Sequence, residues 1–172
     1  MKSEEIAGIL QERFGASILE VKLDTLLPWA KVTPQRIADI GRFLRDDPQT
    51  RFDYLRCVAA VDYPPEFELV YLLFSYPKRH EFQLKVRVPR ENPVVPTVEE
   101  VWPAANWHER EAFDLMGIRF EGHSDLRRIM LPDDWIGHPL RKDYKEQEEY
   151  QGIGTRREYL TGMPPLPTSP AK

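Results

Sequence analysis

The sequence predicts an α+β fold: a mainly antiparallel meander with helices on one face, followed by an extended irregular C-terminal segment. Three observations carry this. Three strand-like runs follow one another between residues 52 and 88 with only turn-forming residues between them. Segments with helical spacing of apolar residues lie on either side of those runs. After Gly117 regular periodicity stops, although large apolar residues continue.

Ser3-Glu4-Glu5-Ile6 opens an amphipathic helix with Ile6, Ile9, Leu10 and Phe14 on one side and Gly15 past its end. Ser17 to Leu23 alternates as a strand, and Trp29 to Val32 reads as a second, short one. Thr33-Pro34 starts another helix, cap residue before first-turn proline. Its buried stripe is Ile37, Ile40, Phe43 and Leu44, and Asp46-Asp47-Pro48 ends it. Phe52 to Val61 is the first strand of the meander, and Asp62-Tyr63-Pro64-Pro65 is a turn. Phe67 to Tyr76 is apolar nearly throughout, which predicts a central strand buried on both faces. In Glu81 to Val88 the apolar residues Phe82, Leu84, Val86 and Val88 alternate with charged or polar ones.

Thr97-Val98-Glu99-Glu100 has the form of a capping box, Thr97 accepting from the Glu100 amide while a carboxylate reaches back. The predicted helix runs from there to Met116, interrupted at Pro103 and capped by Gly117. Three regions follow: an α+β domain over 1–117, an extended segment over 118–145, and a charged, proline-rich tail over 146–172. The middle one holds Ile118, Phe120, Leu126, Ile129, Met130, Leu131, Trp135, Ile136 and Leu140, too many large apolar groups for a solvated linker.

Composition narrows the chemistry. The chain has 172 residues, 41% hydrophobic and 30% charged, with net charge -4. That suits one globular domain and gives no electrostatic pull toward nucleic acid. No apolar run approaches the ~20 residues of a spanning helix, and no signal-peptide core is present at the N-terminus. A cytosolic chain that meets the membrane only through partners is therefore expected. Cys57 is the single cysteine, which excludes an internal disulfide and a thiolate-held cluster, and it reads as a small core residue. The four histidines show no metal-binding spacing. No glycine-rich nucleotide loop stands at a strand–helix junction.

The informative residues are concentrated from Trp107 to Tyr144. They include Glu109, Arg110, Glu111, Asp114 and Gly117, then Gly122-His123, Leu126-Arg127-Arg128, Gly137-His138-Pro139, and Arg141-Lys142-Asp143-Tyr144. On general grounds Glu109 to Asp114 read as a salt-bridged helix face, with Arg110 and Asp114 spaced for an ion pair worth ~0.2–0.5 kcal/mol if exposed. Arg119, Arg127, Arg128 and Arg141 supply planar forks for carboxylates, so the helix acids are expected to tie the segment back onto the domain. His123 and His138 read as loop hydrogen-bonding groups, and the glycines as bends needing positive φ.

This pattern closely resembles the signature region of the C subunit of the proton-pumping NADH:quinone oxidoreductase, respiratory complex I. Ser124, where many members have proline, departs from it. The resemblance implies a peripheral-arm subunit on the cytoplasmic face of a bacterial cell membrane. It implies no catalytic residue and no cofactor on this chain, within a complex that uses FMN, iron–sulfur clusters and quinone. The implied partners are neighbouring subunits, chiefly the D subunit near the quinone site, with residues 118–172 as the docking extension. Related subunits of membrane-bound hydrogenases and of ferredoxin-linked, plastoquinone-reducing complexes fit the same residues. An independent RNA-binding module would need exposed sheet aromatics such as Tyr54, Tyr71 and Phe74 with a basic face. A standalone acid–base enzyme built on Glu109, Glu111 or Asp114 with His123 would need a substrate pocket.

Overall fold

The computed structural model describes residues 1–155. Helix α1 spans Ser3–Phe14, and the Glu5 carboxylate accepts from the Lys2 backbone N–H at 2.8 Å. A short 3-10 turn leads into β1 (Ile18–Lys22) and β2 (Trp29–Val32). Pro34–Arg36 forms a second 3-10 turn before helix α2 (Ile37–Asp46), and the Asp47 carboxylate turns the chain by accepting from the Gln49 amide. The meander is β3 (Tyr54–Tyr63), β4 (Glu66–Ser75) and β5 (His80–Pro89). Strands β6 (Val94–Pro96) and β7 (Arg119–Glu121) flank helix α3 (Ala105–Met116). Two short strands, β8 (Glu149–Tyr150) and β9 (Ile153–Gly154), form a hairpin after the signature region.

The five-stranded sheet has the order β1-β2-β5-β4-β3. All neighbours are antiparallel except β2 and β5, which run parallel with Ala30 opposite Leu84. The crossover between them carries α2 and the hairpin, so the departure from a pure meander comes from connection length. A second pair, β6 with β7, is parallel and brings Val95 opposite Phe120.

One face of the sheet supplies the core. Phe67, Leu69, Tyr71 and Leu73 of β4 and Phe82, Leu84, Val86 and Val88 of β5 are all buried. They share one cluster with Ile6 and Leu10 of α1, Ile37, Ile40 and Leu44 of α2, and Ala105, Ala112 and Met116 of α3. Ile118 and Phe120 belong to the same cluster, so the core runs on past Gly117. Each such large side chain contributes about 1.5–3 kcal/mol.

Two expectations are corrected. Strand β4 is buried on one face only: Val70, Leu72 and Phe74 are half-buried, because no second layer covers them among the described residues. Glu68 lies on that side and is buried by its Lys85 and Arg87 partners. The Thr97–Glu100 segment also does not begin the helix. Pro103 lacks an N–H and its ring displaces the carbonyl four residues back, so residues 97–104 form tight turns and α3 starts at Ala105. Thr97 Oγ1 accepts from the Glu99 amide instead, at 3.1 Å.

Trp102 anchors those turns. Its indole N–H donates to the Phe52 carbonyl at 2.9 Å, and its ring lies against Gly41 of α2, where an added Cβ would stand 3.0 Å from it. Gly41→Ala gains about 1 kcal/mol of helix propensity but overpacks a ring that cannot retreat, at a cost of about 1–3 kcal/mol. Net destabilisation is expected in urea unfolding, and equal or greater stability would contradict it.

Candidate interface site

Helix α3 carries the first part of the signature, and the fold divides its charges by face. Glu109, Arg110 and Asp114 are buried, whereas Glu111 is exposed. The Glu109 carboxylate reaches back past the turns that precede the helix. It accepts from the Val98 amide at 2.8 Å and from the Thr97 hydroxyl at 2.5 Å. This is the reaching-back carboxylate of the expected capping box, supplied from further along the chain. No cation accompanies it among the described residues, so burial pushes its pKa from 4.5 up to about 7, with nearby Glu99 adding to the rise against both hydrogen bonds. The buried Tyr71 hydroxyl forms no hydrogen bond among the described residues, and burial together with Glu109 raises its pKa well above the ordinary value.

Asp114 is the junction between helix and segment. One oxygen accepts from the Ile129, Met130 and Leu131 amides at 3.0, 2.7 and 3.0 Å. The other accepts from Arg128 Nη1 at 3.1 Å. Burial opposes ionisation here, but the three amides and the Arg128 guanidinium outweigh it and hold the carboxyl below its ordinary value. With both oxygens engaged, the ion pair expected between Arg110 and Asp114 does not form. Arg110 instead lies 4.9 Å from the Trp107 ring centroid and donates weakly to the Arg127 carbonyl.

The second part of the signature closes the end of the same helix. A helix leaves its last carbonyls without intrahelical partners, and residues 138–141 supply donors for them. His138 Nδ1 bonds the Asp114 carbonyl at 2.9 Å and the Leu140 amide the Leu115 carbonyl at 3.0 Å. Arg141 Nε bonds the Met116 carbonyl at 2.6 Å, and Nη2 reaches that of Gly117 at 3.5 Å. The His138 contact requires the proton on Nδ1, and burial lowers the ring's pKa, which favours that neutral form. Arg141 sets a cation at the negative end of the helix. Gly117, at φ 72, is required twice over, since a Cβ there would meet Arg141 and His138 at 2.5 and 2.6 Å. Pro139, half-buried, begins the turn that aims Leu140 at the helix end.

The remaining signature residues form two more ties. At Gly122-His123 the chain turns at φ 83. His123 Nε2 bonds the Asn106 carbonyl at 3.1 Å while Nδ1 accepts from the Asp125 amide. Ser124 donates its amide at 2.6 Å and its hydroxyl at 3.1 Å to Glu99, two donors that a proline could not provide. Further on, Gly137 bends at φ 85 against the Tyr144 ring. The Lys142 amide donates to buried Asp62 at 2.8 Å. Arg90 bridges Asp62 and Asp143, at 3.1 and 2.6 Å. Asp62 and Arg90 were missed in sequence, where one reads as a turn former and the other as a loop charge. Among the described residues exposed Arg127 forms an ion pair only with Asp125, and exposed Arg119 forms none. Neither performs the fastening expected of it.

What faces outward is apolar to an unusual degree for such a polar stretch. Trp107, Met130, Ile136 and Leu140 are 64, 63, 69 and 59% exposed. A groove of about 350 Å³ runs between β3 and α3, with Cys57, Ala59, Ala60, Glu111, Leu115 and Leu140 among its walls. Among the described residues no group of three or more His, Cys, Asp or Glu side chains could hold a metal ion, and no helix is long and apolar enough to cross a membrane.

Two outcomes follow from this geometry. Asp114→Asn leaves Arg128 without its counter-charge, and a loss of about 3 kcal/mol is expected. Limited proteolysis should then cut first within 126–137, and an unchanged pattern would contradict the assignment. Folding raises the Glu109 pKa, so the folded state holds that proton more tightly than the unfolded chain. The Glu109 penalty is therefore absent below about pH 4.5 and grows as pH rises toward 7, reaching on the order of 3 kcal/mol. Glu109→Gln keeps one acceptor oxygen for the Val98 amide and cannot ionise, so it should flatten that part of the stability–pH curve.

A family model described as "Respiratory-chain NADH dehydrogenase, 30 Kd subunit" matches residues 30–150. The C subunit of NADH-quinone oxidoreductase from Roseiflexus castenholzii is 55% identical over 65% of this chain, and the match spans 66% of that protein. The corresponding protein of Geobacter sulfurreducens is 44% identical over 83% of this chain and 92% of its own length. Among solved structures, the trypsin-resistant fragment of Nqo5 superposes with TM-score 0.58 at 29% identity, covering 70% of this chain and 98% of the fragment. A chain of the membrane-bound sulfane sulfur reductase, an archaeal respiratory membrane complex, superposes with TM-score 0.70 at 29% identity, over 83% of this chain and 85% of that one. Motif, fold and similarity agree, and the chain belongs to the family of the 30 Kd subunit of respiratory-chain NADH dehydrogenase, the C subunit of NADH-quinone oxidoreductase.

Proposed function

We propose that this chain is a non-catalytic structural and assembly subunit in the peripheral arm of a proton-translocating NADH:quinone oxidoreductase. It packs against the D subunit near the quinone site, on the cytoplasmic face of a bacterial cell membrane. The complex moves electrons from NADH through FMN and iron–sulfur clusters to quinone, and this chain holds none of those groups. Residues 118–145 dock on the partner, and the tail over 146–172, whose part from 156 on lies outside the described residues, extends that contact.

One observation carries this reading. Glu109, Asp114, His138 and Arg141, the signature side chains that look most suited to acid–base work, are engaged in bonds to backbone amides, hydroxyls and carbonyls. Trp107, Met130, Ile136 and Leu140 stay at the surface. Polar groups turned inward with apolar groups left outward suit a surface shaped for a protein neighbour.

The likeness to a chain of an archaeal respiratory membrane complex favours a second reading, the equivalent subunit of a related membrane-bound complex with another electron donor. Affinity purification of the tagged chain from gently solubilised membranes separates the two. Recovery of flavin- and cluster-bearing subunits with NADH:quinone reductase activity is the expected result. Recovery with a hydrogenase or ferredoxin-linked module selects the second reading, and recovery of the chain alone overturns both.

A further inference from the structure

Strand β3 is one of the sheet's two edges, and among the described residues its outward amides and carbonyls form no hydrogen bond. Natural edge strands are guarded by charge, proline or cover. From Cys57 to Val61 this one has none of these, only Cys, Val, Ala, Ala and Val. Ala59 and Ala60 leave room for a second backbone to approach. The other wall of the groove is the outer side of α3, with His108, Glu111 and Leu115, and Leu140 closes one end. Glu111 is exposed and has neither an ion pair nor a hydrogen bond among the described residues, in contrast to its buried neighbours Glu109 and Asp114. No lysine or arginine lines the groove. Nearby Arg56 is occupied by Glu81 at 2.7 Å.

We infer that this groove receives an extended segment of a neighbouring subunit, which adds a strand to the free edge of β3 and places a lysine or arginine against Glu111. This rests on the proposed role as a subunit and names the surface through which part of it is carried out. Main-chain hydrogen bonds to the edge supply affinity, while alternate side chains meet the alanines and Leu115 and set register. The unpaired carboxylate in a largely apolar slot selects a cation and rejects acidic segments. It also disfavours a second copy of this chain. Two-fold pairing of β3 with itself would bring two Glu111 carboxylates to one interface, a like-charge arrangement.

Cys57 is the only cysteine in the chain and lines the groove, so it reports on occupancy directly. Alkylation of Cys57 by a maleimide is compared in the purified chain and in the intact solubilised complex. Protection of about tenfold or more in the complex is expected. A short photo-crosslinker on Cys57, installed before assembly, should join it to a peptide of another subunit, identified by mass spectrometry. Glu111→Lys should lower recovery of the chain with the complex about tenfold, with its thermal unfolding unchanged because the side chain is exposed. Equal alkylation in both states overturns the inference, as does crosslinking only to a second copy or to residues 156–172 of the same chain. If the chain co-purifies with its complex while Cys57 remains open, the inference fails and the proposed role stands. If it does not co-purify, both fail.

Discussion

The signature region depends on the single carboxylate of Asp114. Three consecutive backbone amides and one guanidinium converge on it, so a stretch with no regular secondary structure has its path set at residues 128–131. The carbonyl of the same residue receives His138. One position on one helix thereby fixes two points of the chain, and the intervening residues 132–137 are drawn into a closed loop. The energetic logic is that of a buried charge: its desolvation is offset only while all its partners stay in place, which makes the arrangement close to all-or-none.

That constraint explains the chemical character of the surface. Backbone amides that would otherwise need water or a sheet partner are satisfied at Asp114, and the last carbonyls of α3 are satisfied by residues 138–141. With its polar backbone groups turned inward, the segment can hold Met130, Ile136 and Leu140 outward without losing its course. Glu109 works on the opposite end of α3 by holding Thr97 and Val98. The helix is thus clamped at both ends by groups drawn from its own signature, and Glu111, on the outward side, is left over from that internal use.

The sheet contributes rigidity and an edge. Strands β1 to β5 and helices α1 to α3 give one core from which Ile118 and Phe120 anchor the start of the segment. Among the described residues the same sheet has one face without a second layer and two edge strands, β1 and β3, without an outer neighbour. Membership of this family accords with both features, because a component of a larger complex is expected to leave some of its surface for others to cover.

Local patterning in the sequence determined much of the fold. Helices α1 and α2 and strands β1 to β5 were legible from spacing, proline and glycine, because amphipathic periodicity is written into neighbouring residues. The family was legible as well, since many residue types stand at set offsets between Trp107 and Tyr144. Only the tertiary structure decided the partners. Sequence spacing offered Arg110 to Asp114, but three amides some fifteen residues downstream took the carboxylate. It offered a capping box at Thr97–Glu100, but Pro103 broke the helix and Glu109 became the reaching-back acid. It gave no hint that β2 lies parallel to β5, or that Asp62 and Arg90 would hold Lys142 and Asp143. Periodicity is a local property that residues carry individually. A hydrogen-bond partner is chosen by which distant groups the closed core brings within about 3 Å of each other, and nothing local encodes that distance.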